Sequence, residues 1–226
     1  MKVAVASLLA VTLSACSIVA QSPKTGAAAR LVAGPVTLTA QPDLIRGEVP
    51  AFPRVVPGRA VSAAAAAKIN AALARADKRV KAVALDCQAS SKASQGKADP
   101  EAWQRVIEVT MRGPRFLSFL ATDNSDCGGP YPNNGMQMPL VYDLTTGSPV
   151  NWLRLLPAGV KASIDSAPDG SNVGLVDWPA LTALSKKKAE GECKGAFDDG
   201  GLEYSLTLNA RTGTLDAQPE NFPHVM

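Results

Sequence analysis

Four aspartates, Asp123, Asp126, Asp198 and Asp199, come nearest by type and spacing to a reactive set, the acid/base pair of a glycosidase-like hydrolase. Histidine chemistry has little to work with. His224 is the single histidine and sits at the extreme C-terminus, so neither a Ser-His-Asp nor a Cys-His device is written in the chain. No G-x-S-x-G, H-E-x-x-H or G-x-G-x-x-G motif occurs. Gly128-Gly129 and Gly200-Gly201 are too short for a phosphate loop and read as turns. Asp123-Asn124-Ser125-Asp126 has the flavour of a calcium loop but lacks the glycine and the distal glutamate of a twelve-residue site. With one histidine and no Cys-x-x-Cys, zinc is not expected. The loop aspartates therefore read as turn-formers, and no catalytic residue, metal or cofactor is expected.

The cysteines carry a different chemistry. Met1-Lys2 is a short positive segment, Val3 to Leu13 is an apolar run of signal-peptide length, and Leu13-Ser14-Ala15-Cys16 follows. That last sequence resembles a bacterial lipoprotein box. It implies cleavage before Cys16, diacylglycerol on its thiol and acylation of the new amino group; the competing reading is an ordinary leader cut near Ala20. In a Gram-negative host, Ser17 after the cysteine favours the outer membrane, facing the periplasm, over inner-membrane retention. Acyl chains anchor at about 0.8 kcal/mol per buried methylene. Export exposes Cys87, Cys127 and Cys193 to an oxidising compartment. Three pairings are open, and the odd count leaves one thiol free, shared between molecules or without its mate. The expected bond is Cys87–Cys127, from the end of a long helix to the loop after the second strand of a hairpin. Closing that loop contributes roughly 3–4 kcal/mol.

These residues need elements to hold them. The chain has 226 residues, 46% of them hydrophobic and 19% charged, enough apolar surface for a globular domain. No apolar run is long enough for a multi-span membrane protein. The net charge of +3 gives no support for nucleic-acid binding. Gln21 to Ala33 is small and polar, and prolines punctuate the stretch to Gly58, leaving Val36 to Thr39 as a short strand. Ser62 is an N-cap for a helix running to Leu85, with Ala65, Ile69, Leu73, Ala76, Val80 and Val83 as its apolar stripe. Lys68, Arg75, Lys78 and Arg79 fall off that stripe and read as a solvated face. Ser90 to Pro100 reads as a loop.

Arg105 to Arg112 alternates, with Arg105, Ile107, Val109 and Met111 on one side. Gly113-Pro114 turns the chain into Phe116 to Thr122, a hairpin. Met136 to Asp143 is a third strand ended by Thr145-Thr146-Gly147. Asn151 caps a short helix to Leu156, Asp177 and Pro179 open another that ends near Gly191, and Leu202 to Leu208 is a period-two strand. The predicted class is α+β, an antiparallel sheet packed against one long and one or two shorter helices. The expected organisation is a signal peptide over 1–15, anchor and tether over 16–41, and one domain over 42–226.

Between two strands, Cys127-Gly128-Gly129-Pro130-Tyr131-Pro132-Asn133-Asn134-Gly135 forms an elaborate loop that presents Tyr131. Gly128, Gly129, Tyr131, Asn133 and Asn134 are the candidate binding residues, because loops on rigid scaffolds tend to carry recognition; the competing reading is a structural connector with Tyr131 packed down. Together with Phe52-Pro53-Arg54, Ile69-Asn70-Ala71-Ala72-Leu73, Leu117-Ser118, Tyr142-Asp143-Leu144-Thr145-Thr146-Gly147 and Trp152 to Leu156, this loop resembles a known module. It is the uncharacterised extracytoplasmic domain of lysozyme-sensing anti-sigma factors and of some peptidoglycan deacetylases. The resemblance runs from Pro42 to the C-terminus. That family commonly places Ala and His after the second glycine, where this chain has Pro130 and Tyr131. It implies a non-catalytic α+β module, and family members that continue past the Phe222-Pro223-His224 region imply a shortened C-terminus here. The expected function is a cell-envelope lipoprotein that binds an envelope protein or peptidoglycan fragment, with a membrane anchor and no nucleic acid. The alternatives are a carboxylate-dependent peptidoglycan hydrolase or deacetylase, and a purely structural lipoprotein.

Overall fold

The computed structural model of the chain describes residues 30–31, 34–96, 99–128, 133–162, 175–188 and 202–220. Two short strands, β1 (Arg30–Leu31) and β2 (Thr37–Thr39), precede β3 (Arg54–Val56) and the long helix α1 (Ala63–Gln95). Then come β4 (Trp103–Arg112), β5 (Phe116–Asp126), β6 (Asn133–Asp143) and β7 (Ser148–Pro149). The C-terminal part holds β8 (Lys161–Ala162), β9 (Leu175–Asp177), α2 (Pro179–Lys188), β10 (Glu203–Asn209) and β11 (Thr214–Glu220). The class is α+β, as the pattern of elements predicts. Among the described residues, no helix is long and apolar enough to cross a membrane.

Helix α1 begins where Ser62 accepts a hydrogen bond from the Ala65 N–H, satisfying one of the unpaired donors of the first turn. It does not stop at Leu85. It runs ten residues further to a left-handed Gly96, so Ser90 to Gln95 are helical and Cys87 lies inside the helix. Ser91 explains the extension: it is fully buried, and continues the face made by Ile69, Leu73, Val80 and Ala84. Val83 leaves the expected stripe and is half exposed.

That apolar face packs on a five-stranded sheet of order β1-β4-β5-β6-β7. Its central strands are antiparallel, whereas β1 pairs with β4 in parallel. Ile107, Leu117, Phe119, Leu140 and Tyr142 point toward α1. A bulge in β4 sets Thr110 and Met111 together against Ser118. The bulge reverses the phase, so Met111 leaves the face of Ile107 and Val109, and Arg112 turns to the carbonyl of Val36. The same irregularity meets the second sheet, of order β11-β10-β9-β8. There Ala210 donates its N–H to the Thr110 carbonyl at 3.0 Å and Leu208 donates to the Ser118 hydroxyl at 3.1 Å. A smaller core under this sheet gathers Val141, Trp152, Trp178, Leu181, Tyr204 and Leu206.

The expected tether over 16–41 overlaps the folded unit. Arg30–Leu31 pairs with β4, Thr37–Thr39 pairs with β3, and Val36 is buried in the main core. Apolar burial and ladder hydrogen bonds thus begin before residue 42.

The turn after β6 locks α1 at its N-terminal end. Asp143 accepts hydrogen bonds from the Thr145 N–H and hydroxyl, and Gly147 follows at φ +72°. A Cβ on Gly147 would stand 2.5 Å from the Ala65 carbonyl oxygen and 2.7 Å from its Cα. Gly147→Ala is expected to lower stability by about 1–3 kcal/mol from backbone strain, with steric displacement of α1 adding to it; an unchanged urea midpoint would refute this account of the turn.

Candidate functional site

Four charges meet between α1, β3, β4 and β5. Asp77 lies on the core-facing side of α1, seven residues after Asn70. Both hold the segment entering β3. Asn70 accepts from the Val55 N–H at 2.8 Å and donates to the Val55 carbonyl at 2.9 Å, standing in for a neighbouring strand. Asp77 accepts from the Phe52 N–H at 3.1 Å and from the Arg54 guanidinium at 2.6 Å, and Arg54 also donates to the Phe52 carbonyl. Residues 52–55 and the Asn70 to Asp77 side of α1 are therefore two halves of one contact.

Beneath this contact, Arg105 projects from β4 with a fully buried side chain. Its guanidinium lies 3.8 Å from Asp77 and 3.5 Å from Asp123 of β5, and 4.6 Å above the Phe52 ring. Trp103 donates its indole N–H to Asp123 at 2.9 Å. Two guanidinium groups face two carboxylates, so the charges balance. The guanidinium nitrogens of Arg105 and the Oδ2 of Asp123 are buried without hydrogen-bond partners; Arg105 is held by charge and the aromatic face. Burial pushes the Asp123 carboxyl up, against the attraction of Arg105 and the Trp103 hydrogen bond. Burial also pulls the Arg105 guanidinium down, against Asp123 and Asp77. A perturbed carboxyl is a common mark of an active site. Here Asp123 is 1% exposed, closed to any substrate, and the set acts as an internal brace.

This corrects the reading of Asp123 as a loop turn-former. Asp123 and Ser125 point inward from β5, alternating with Asn124 and Asp126, so this stretch is a strand rather than a calcium loop. Asp126 accepts from the Gly128 N–H at 3.2 Å and forms the start of a turn, as loop aspartates do. Among the described residues, no group of metal-ligating side chains gathers. The signals for the brace were present in the chain: Arg105 occupies an inward position in an apolar alternation, and Asp77 falls on the buried arc of α1 beside Ala76 and Val80.

The candidate recognition loop leaves this framework at the far end of the β5–β6 hairpin. Asp126 pairs with Asn133, and Ser125 with Asn134, which places those two asparagines at the start of β6. Cys127 is bonded to Cys87 of α1, with Cα atoms 4.6 Å apart, as expected from the sequence. Gly128, at φ +74°, presses on the last turns of α1, where an added Cβ would meet the Ser94 hydroxyl at 2.0 Å. The first residues of the loop are thus fixed by a covalent bond and by a close approach only glycine allows. Cys16, Gly129, Tyr131, Cys193, Asp198, Asp199 and His224 lie outside the described residues. The chain matches no protein-family model and no curated protein.

Asp77→Ala is expected to cost about 3–5 kcal/mol, because it leaves Arg105 and the Phe52 N–H buried with less compensation. Urea unfolding measures it, and a loss no larger than an ordinary surface substitution would remove the brace from consideration. Asp123 also gives a pH signature. Its folded value lies above the unfolded one, so its contribution to stability is complete below the unfolded aspartate range and is lost as pH rises through the folded value. The stability of the parent relative to Asp123→Asn should therefore fall from acid toward neutral pH; a difference independent of pH would contradict the raised value.

Proposed function

We propose that this chain is an exported cell-envelope lipoprotein, anchored through acylated Cys16 at the outer membrane and facing the periplasm. Its domain serves there as a non-catalytic binding module for an envelope protein or a peptidoglycan fragment. The observation that carries this reading is the Cys87–Cys127 bond. A structural disulfide persists in an oxidising compartment, and the leader ending in Leu13-Ser14-Ala15-Cys16 is the matching address. The bond also sits at the base of the loop that the sequence resemblance singles out. A loop anchored to a 33-residue helix loses less conformational freedom on binding than a free one. The likeness to the extracytoplasmic domain of lysozyme-sensing anti-sigma factors suggests lysozyme and muropeptides as first ligands to try.

Labelled palmitate should enter the wild-type protein, and Cys16→Ala should abolish both labelling and retention in the membrane fraction. Immobilised protein should retain lysozyme or muropeptides, and Tyr131→Ala should weaken that retention at least tenfold. Release of an unlabelled protein with reduced thiols into the cytosol would overturn the anchoring. Turnover of peptidoglycan that disappears with Asp126→Ala would replace binding by hydrolysis.

A further inference from the structure

The outer face of α1 has a charge pattern that the even composition of the chain hides. Six basic side chains and one acidic side chain, Asp86, are exposed along this helix, whereas Asp77 is buried in the brace. The exposed side chains of this helix therefore carry more positive charge than the net +3 of the entire protein, and three of the lysines share one stripe. At 100° per residue, Lys78, Lys81, Leu85 and Lys92 fall within about 60° of one another, opposite the side that packs on the sheet. All four are exposed, and Leu85 keeps 47% of its surface in solvent. The same line continues toward the N-terminus through exposed alanines from Ala64 to Ala74, which do not stand above the helix surface. The stripe from Lys78 to Lys92 is about 21 Å long at the helical rise. It exists because α1 continues past Leu85 to Gln95, which brings Lys92 into line.

We propose that this face of α1 docks on the surface of an anionic phospholipid bilayer. Three features favour a bilayer over nucleic acid or an acidic protein. The basic side chains flank an exposed leucine, and an interfacial membrane contact uses both, with apolar insertion between headgroup-binding cations. The stripe lies along a single helix and is continued by small alanines, a geometry that suits a flat partner. Lysine, rather than the planar fork of arginine, occupies its centre, which suits diffuse attraction to a charged surface. Lys68 is engaged with the Thr146 carbonyl at 3.4 Å and lies to one side, so the docking is assigned to Lys78, Lys81, Leu85 and Lys92. The contact goes beyond the acyl anchor: it would orient the domain, laying α1 along the leaflet.

The chain from Ser17 onward contains every described element and no acyl group, so membrane binding by this form does not depend on the Cys16 reading. It should sediment with vesicles of phosphatidylcholine containing one part in three of phosphatidylglycerol, and not with phosphatidylcholine alone. Each lysine near such a surface contributes a factor of about five. The triple variant Lys78→Gln, Lys81→Gln, Lys92→Gln should therefore bind about a hundredfold more weakly, with its circular dichroism unchanged. High salt should release the parent protein, and Leu85→Ser should weaken binding without changing the salt dependence. Equal binding to both vesicle types, no binding to either, or undiminished binding by the triple variant would each overturn the proposal. Preference for an acidic polypeptide over the anionic vesicles would do so as well. Failure of palmitate labelling at Cys16 bears on the anchor alone and leaves this result standing.

Discussion

Asp77 is the residue on which the arrangement of this domain converges. A carboxylate inside an apolar core is stable only with compensation. Here that comes from the Phe52 N–H, the Arg54 guanidinium and, further off, Arg105. Those partners come from two segments distant in sequence, residues 52–54 at the start of β3 and Arg105 of β4. Satisfying one buried charge therefore fixes the helix against β3, β3 against β4, and, through Arg105 and Asp123, β4 against β5. An apolar contact tolerates sliding, whereas a charge with partners in three directions has one low-energy position. Asn70 adds a second directional tie seven residues earlier on the same side of α1.

Two other constraints fix α1 along its length. At its N-terminal end Gly147 lies against Ala65, and near its C-terminal end the Cys87–Cys127 bond and Gly128 hold the β5–β6 hairpin to Cys87, Ser91 and Ser94. The helix is thus a rigid spine with three attachments: a turn, a charge network and a covalent bond. Its buried side stabilises the sheet and seats the base of the candidate loop. Its opposite side is left to solvent, and there the lysines and Leu85 are displayed.

The bulge in β4 couples the two cores in a comparable way. By placing Thr110 and Met111 opposite Ser118, it leaves a carbonyl and a hydroxyl available to the N–H groups of Ala210 and Leu208. The second sheet is therefore joined to the first by directional bonds as well as by apolar packing. The same phase change sends Arg112 to the Val36 carbonyl, and ties the segment before β2 into the fold.

Local rules suffice for much of this protein. The N-cap at Ser62, the alternation of Arg105 to Val109, the turns at Gly113-Pro114 and Gly147, and the strand near Leu202 to Leu208 are set by neighbours a few residues away, and each forms as its sequence predicts, although Tyr204 to Thr207 are buried on both faces rather than alternating. The α+β class follows from their order, whereas the thiols left three pairings open, and the seating of the β5–β6 hairpin on α1 selects the expected Cys87–Cys127 bond. Tertiary structure decided the rest, because the deciding partners are far apart along the chain. The helix extends through Ser90 to Gln95 because burial of Ser91 and the bonded hairpin outweigh the weak helical preference of a serine-rich stretch. Asp123 is a brace and not a reactive carboxyl because Arg105 and Trp103 face it across a strand pair. Hydrogen-bonding periodicity is written into adjacent residues, but the fate of a charge depends on what the fold brings within a few ångströms of it.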